Sequence, residues 1–264
     1  MNQGPEAPQG YPEPPAKQRT GVWGWLVGGA LLVLSKLKFL LVLLKALKFG
    51  KLFITAGTMV LSIAAYATIF GWRFAAGFVI LVLIHELGHG IAIKMRGLPS
   101  GWPVFIPFFG ALISLKAQPK DADEEAFIAY GGPWAGTAAG MVVAGYGLWA
   151  HSPLAFALAE TTFFINLFNM VPFGGLDGGR IAKAFSRRAW MVGAALMLGL
   201  FVLHPTPQLA IIALMGASHI FRSQPASDTP LVPDEVRQKW QLRYFALVIY
   251  LALAMYFVPH GARH

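Results

Sequence analysis

FAAGFVILVLIHELGHGIAI, residues 74–93, is an apolar run broken only by His85, Glu86 and His89. Twenty residues rising about 1.5 Å each cover roughly the 30 Å of a bilayer's hydrocarbon core. The stretch therefore reads as a membrane-spanning helix. Histidines four apart lie one above the other on a helix face, so His85 and His89 can reach one metal ion. Glu86 follows the first histidine, where it can hold a water for the metal without being a ligand. This is the H-E-x-x-H arrangement of zinc hydrolases. Ionisable groups at membrane depth are costly unless paired or bound, so the cluster reads as functional. A chance match, or a histidine pair satisfied by neighbouring helices, is the plainer alternative.

Composition agrees with a membrane protein. Of 264 residues 56% are hydrophobic and 12% charged, about half the charged share of a soluble domain. The net charge of +9 sits in short Lys/Arg segments between apolar runs. That is the positive-inside pattern rather than a nucleic-acid surface. No cysteine is present, so a zinc site must be built from His and carboxylate.

The expected fold is an all-α polytopic membrane protein with about six to eight transmembrane helices. Residues 1–20 are Pro-rich and polar and are expected to be a disordered tail. Residues 21–51, with Lys36, Lys38, Lys45, Lys48 and Lys51 among leucines, read as a basic amphipathic helix or a first membrane segment. Apolar spans are expected near 52–72, 74–93, 126–150, 153–172, 189–203, 207–222 and 244–258. Grouped, these give a catalytic membrane core over 52–188, a helical hairpin over 189–222, a polar cytosolic loop over 223–243, and a final helix and tail over 244–264.

Between the second and third of these spans, residues 98–120 begin and end on one side. Pro99, Pro103, Pro107 and Gly110 preclude a long helix there. The segment reads as a β-hairpin or a re-entrant loop, tolerable at membrane depth only if covered by protein or lining a cavity. An edge strand there could hold an extended substrate by backbone pairing, near Phe105, Ile106 and Gly110. A purely structural hairpin fits as well.

A catalytic zinc takes three protein ligands. Besides Glu86, the acids in apolar segments are Glu160 and Asp177. Glu160 falls toward the outer end of its span. Asp177 falls on the inner side, where Lys94, Arg96, Arg180 and Lys183 place the His89 end of its helix. Asp177 is therefore the expected third ligand. His85 is expected roughly a third of the core thickness from the inner face.

These motifs resemble the site-2 protease family of intramembrane zinc metalloproteases, in its short form without a PDZ-like domain. The resemblance rests on His85–His89 within a membrane helix and on Asn169-Met170-Val171-Pro172 leading to Asp177-Gly178-Gly179. Gly132-Pro133 lies between them, and about residues 52–180 are covered. It implies one Zn²⁺ per chain on His85, His89 and Asp177, with Glu86 as catalytic base. Asn169 would position substrate or stabilise the oxyanion. Implied partners are the lipid bilayer and a single-span membrane-protein substrate, and the implied setting is a prokaryotic plasma membrane with the site toward the cytosol. The chain departs from many members at Gly174-Gly175, where they carry a second proline. Asn166 could be a second substrate contact, with a packing hydrogen bond as the simpler role. Two other functions remain open on sequence: a metal transporter, and a non-proteolytic membrane chaperone or binding protein. Neither gives Glu86 a purpose.

Overall fold

The computed structural model describes residues 50–186, 188–206, 209–214, 216 and 232–259. Two compact units, Met1–Gly50 and Lys51–His264, divide the chain. Apart from Gly50, everything described belongs to the second. The readings of residues 1–20, of most of 21–51 and of 217–231, which end the span expected at 207–222 and begin the loop expected at 223–243, fall outside the described residues.

Helix α1 is Gly50–Phe70. Gly71, at φ 80°, separates it from α2, Trp72–Met95. A hairpin of β1, Val104–Ile106, and β2, Gly110–Leu112, follows. Helices α3, Ala122–Ala150, and α4, Pro153–Asn169, come next. The short α5, Asp177–Ala182, leads into α6, Ala189–Leu203. Residues 209–214 are helical, and α7 is Asp234–Phe257. The protein is thus mostly helical. Helices α1, α2 and α7 are long and apolar enough to cross a membrane. Large apolar side chains are exposed along α1 and α7, among them Phe53, Val60, Ile69, Tyr256 and Phe257. An exposed apolar surface this extensive suits lipid rather than water.

The interrupted segment is a hairpin. Its strands are antiparallel, with Phe105 opposite Ala111 and Ile106 opposite Gly110. Phe108 at φ 65° and Gly110 at φ 95° make the tight reversal that Pro107 begins. Thr55 Oγ1 of α1 donates to Pro103 O at 2.6 Å. The Phe105 N–H donates to Thr58 Oγ1 at 3.3 Å. The hairpin is thus tied to α1 by two hydroxyls, its own backbone polar groups being costly to leave unpaired in an apolar setting.

Helix α3 begins where its acids predict. Asp121 caps it by accepting from Glu124 N at 2.8 Å, while Glu124 Oε2 accepts from Lys120 N at 2.8 Å. This reciprocal arrangement satisfies two end donors and places carboxylates at the positive end of the dipole. Helix α7 starts ten residues before the apolar run expected at 244–258, so residues 234–243 are helix rather than loop. Pro233 sets the entry, and Asp234 and Glu235 fill the first turn, where both residue types favour a helix start.

Helices α2 and α3 approach backbone to backbone. A Cβ on Gly88 would stand 2.3 Å from Gly131 O, and one on Gly131 would stand 2.6 Å from Gly88 O. This contact, available only to glycine, brings the adjoining Gly132 of α3 against His85 and His89. One apolar cluster, including Phe78, Val79, Phe105 and Leu158, joins α2, the hairpin and α4. Another, including Phe163, Met170, Ile181, Trp240 and Leu251, joins α3, α4, α5 and α7.

Candidate metal centre

Both histidines point into the protein from α2, and both are buried, as is Asp177 at the start of α5. Their protonation follows from their partners. Asn166 Nδ2 donates to Thr162 O at 2.7 Å, so Asn166 Oδ1 is the atom 2.9 Å from His85 Nδ1. An amide oxygen only accepts, and His85 Nδ1 therefore carries the proton. A backbone carbonyl also only accepts, so His89 Nδ1 donates to Ile128 O at 2.9 Å. A neutral imidazole has one N–H, which leaves both Nε2 atoms with free lone pairs.

These lone pairs converge. The two Nε2 atoms are 3.1 Å apart, and Asp177 Oδ2 lies 3.2 Å from that of His85 and 3.3 Å from that of His89. Three buried acceptors meet with no proton of their own between them, and a cation is what such a set lacks. On a tetrahedral zinc with bonds of about 2.0–2.1 Å, neighbouring donors stand roughly 3.3–3.4 Å apart. The observed triangle therefore fits the metal with little rearrangement. His85, His89 and Asp177 form a group that could hold a metal ion.

Gly132 gives the site its room. A Cβ there would lie 2.2 Å from His89 Nε2 and 2.7 Å from His85 Nε2, inside the space a metal ion needs. Pro133 beside it lacks an N–H and loosens the helix ladder, next to the Ile128 carbonyl that receives His89.

Asp177 is placed by its glycines and by the C-terminal half of the chain. A Cβ on Gly178 would stand 2.0 Å from Met170 O, so α5 can fold back onto the end of α4 only with glycine there. Tyr244 Oη donates to the same Met170 carbonyl. Trp190 Nε1 donates to Gly179 O at 2.9 Å. Gly174 adopts φ 53°, which a proline, fixed near −65°, could not do. Gly178→Ala is expected to destabilise the protein by about 1–3 kcal/mol, the usual cost of overpacking a filled site. Thermal melting in detergent checks this, and an unchanged melting temperature would refute it.

Glu86 is buried and is not among the three converging donors. The backbone N–H of Ile113, just past β2, lies against its carboxylate. A cavity of about 1200 Å³ opens beside it, lined by Glu86, Asp177, Asn169, Ile106, Gly110 and Arg180 among others. The expected residues are thus brought together, with one exception. Phe105 is buried in the core against Phe78 and Leu158, because alternate residues of a strand face opposite ways; Ile106 faces the cavity in its place. Asn169, the last residue of α4, is half-buried at the cavity wall.

Sequence reading left Asn166 between two roles, and its bond to His85 is a third. His204, to which no role was given, lines the cavity. Glu160 and Thr161 border a separate cavity of about 310 Å³ beside Met255.

Comparison with known proteins agrees with this geometry. Residues 73–152 match the family model described as Peptidase family M50. The chain is also similar to the protein named "Putative zinc metalloprotease Rip3" in two strains of Mycobacterium tuberculosis, ATCC 35801 (Erdman) and ATCC 25618 (H37Rv). Each is 26% identical over 136 residues, covering 47% of this chain and 34% of the relative. The match thus spans about a third of those relatives' length. The segment carrying His85, Glu86 and His89 thus lies within the stretch similar to peptidase family M50, in line with the site-2 protease family that its motifs resemble.

Proposed function

We propose that the protein is an intramembrane zinc metalloprotease that cleaves membrane-spanning segments of single-span membrane proteins. The observation that carries this reading is the three-donor centre, two of whose donors stand on an apolar helix long enough to cross a membrane. A buried carboxylate stands beside that centre, and both open on a hairpin-walled cavity.

His85 Nε2, His89 Nε2 and Asp177 Oδ2 would hold the zinc. When bound, zinc supplies Lewis acidity toward a peptide carbonyl and makes water nucleophilic at neutral pH. Glu86 accepts the proton of the attacking water and delivers it to the leaving amine, the two tasks a positioned base performs in peptide hydrolysis. The amide of Asn169 donates toward the carbonyl oxygen as charge develops there. A substrate helix must unwind to expose its scissile bond. Ile106 and Gly110, on the cavity wall, would receive the unwound strand.

In this reading α3, at 29 residues, α4, at 17, and the apolar α6, at 15, also lie within the bilayer, which with α1, α2 and α7 makes six spans among the described residues. Lys94, Arg96, Arg180 and Lys183 face the cytosol of a prokaryotic plasma membrane, which favours basic residues on that side. The test is cleavage of a panel of single-span proteins by detergent-purified enzyme before and after chelation. Cleavage should vanish with the chelator and return with zinc near one per chain. Metal retained at that stoichiometry with no substrate of the panel cut would favour a binding protein.

A further inference from the structure

We infer that Asn166 is a positioning residue of the metal centre, fixing His85 as the tautomer that presents Nε2 to the metal. The inference rests on the zinc site proposed above and concerns a residue outside the three donors and the base.

Asn166 is buried at 2% exposure, one helical turn before Asn169. Both ends of its amide are committed. Nδ2 donates to Thr162 O at 2.7 Å, within its own helix. That bond dictates the orientation of the amide and turns Oδ1 onto His85 Nδ1 at 2.9 Å. With the proton held on Nδ1, the lone pair of Nε2 is the only one His85 can offer. A partner on the far nitrogen of a metal-binding histidine fixes the ring and raises its basicity. His89 has a backbone carbonyl for this purpose, Ile128 O, which mutation cannot remove. His85 relies on a side chain.

The third element supplies the space. A Cβ on Gly136 of α3 would stand 2.5 Å from Asn166 Oδ1 and 2.6 Å from Nδ2. Gly132 and Gly136, one turn apart on α3, thus make room for the donor atoms and for the residue that orients one of them. A merely packed asparagine would need neither the acceptor atom turned to His85 nor its alignment with Nδ1.

The experiment measures zinc affinity by chelator competition on full-length protein in detergent, together with the d–d absorption of the Co²⁺-substituted protein. Asn166→Leu keeps the branched outline of the side chain and removes the acceptor. It should weaken zinc about 10–100-fold, the usual loss when an outer partner of a ligand is removed, and alter the Co²⁺ spectrum. Asn166→Asp keeps an acceptor at Nδ1 and should stay within a few-fold of wild type by the same reasoning. Gly136→Ala, which touches no ligand, should weaken zinc in the same direction by crowding the amide. Wild-type affinity in Asn166→Leu overturns the inference, as does an equal loss in Asn166→Leu and Asn166→Asp. These readouts need no cleavage, so a protein that binds zinc as described but cuts nothing would refute the protease reading and leave this one standing. A wild-type chain that takes up no zinc would refute both.

Discussion

Asp177→Ala is expected to leave the purified protein without zinc. Asp177 is the only anion among the three donors, and its Oδ2 is within 3.3 Å of both imidazole nitrogens. Without it the site offers two neutral histidines, which hold a divalent ion poorly because a catalytic zinc ordinarily keeps three protein ligands. A second effect acts in the same direction. The Arg180 guanidinium is 3.8 Å from Asp177 Oδ1 and 3.7 Å from Glu125 Oε1, and that oxygen also holds Lys183 Nζ at 2.9 Å. Removing Asp177 leaves Arg180 partly uncompensated beside the place where a cation must bind. The loss should therefore exceed the roughly 10–100-fold that removal of an outer partner costs. The helix should survive, since one carboxylate at a helix start contributes only about 0.3–1 kcal/mol. Metal analysis after dialysis, with thermal melting as the control for folding, checks both halves. Wild-type zinc content in folded Asp177→Ala would place the third ligand elsewhere.

That Asp177 could be chosen from sequence, and Asn166 could not be placed, has a physical reason. Ligands are scarce chemistry: in an apolar chain without cysteine few acids compete, and a four-residue histidine spacing fixes a shared helix face. The inner-side basic residues then select Asp177 over Glu160. The partner of His85 depends instead on the register of α4 against α2. Close approaches at glycine set the packing, Gly88 with Gly131 between the α2 and α3 backbones, and Gly136 of α3 against the Asn166 side chain of α4. The sequence displays these glycines as a small-residue pattern, which promises tight packing without saying which turn meets which. The hairpin shows the same limit on a smaller scale. Its prolines announce an interruption, yet whether Phe105 or Ile106 faces the cavity depends on strand alternation that the turn at Pro107–Phe109 sets. The early start of α7 was hidden for another reason. Residues 234–243 are polar and carry helix-start chemistry, and an apolar window records only the part of a helix that could lie in lipid.

Glu86→Gln is expected to abolish cleavage while the metal stays. Glutamine has nearly the shape of glutamate, so the packing that buries Glu86 on α2 and the contact with the Ile113 N–H need not change. What changes is chemical: an amide cannot take a proton from water or return it to a leaving amine. Loss of a positioned base costs about 10²–10⁴ in rate, or roughly 2.7–5.4 kcal/mol of barrier at 1.36 kcal/mol per decade. Zinc affinity should move little, because His85 Nε2, His89 Nε2 and Asp177 Oδ2 complete a three-donor set without Glu86. The pairing of the two readouts separates the possible roles. Zinc lost along with cleavage would make Glu86 a ligand, and cleavage within tenfold of wild type would move the base to another residue. Zinc retained with cleavage gone is the combination that a general base beside a His-His-Asp centre requires, and a transporter or a chaperone on the same three donors gives no reason to expect it.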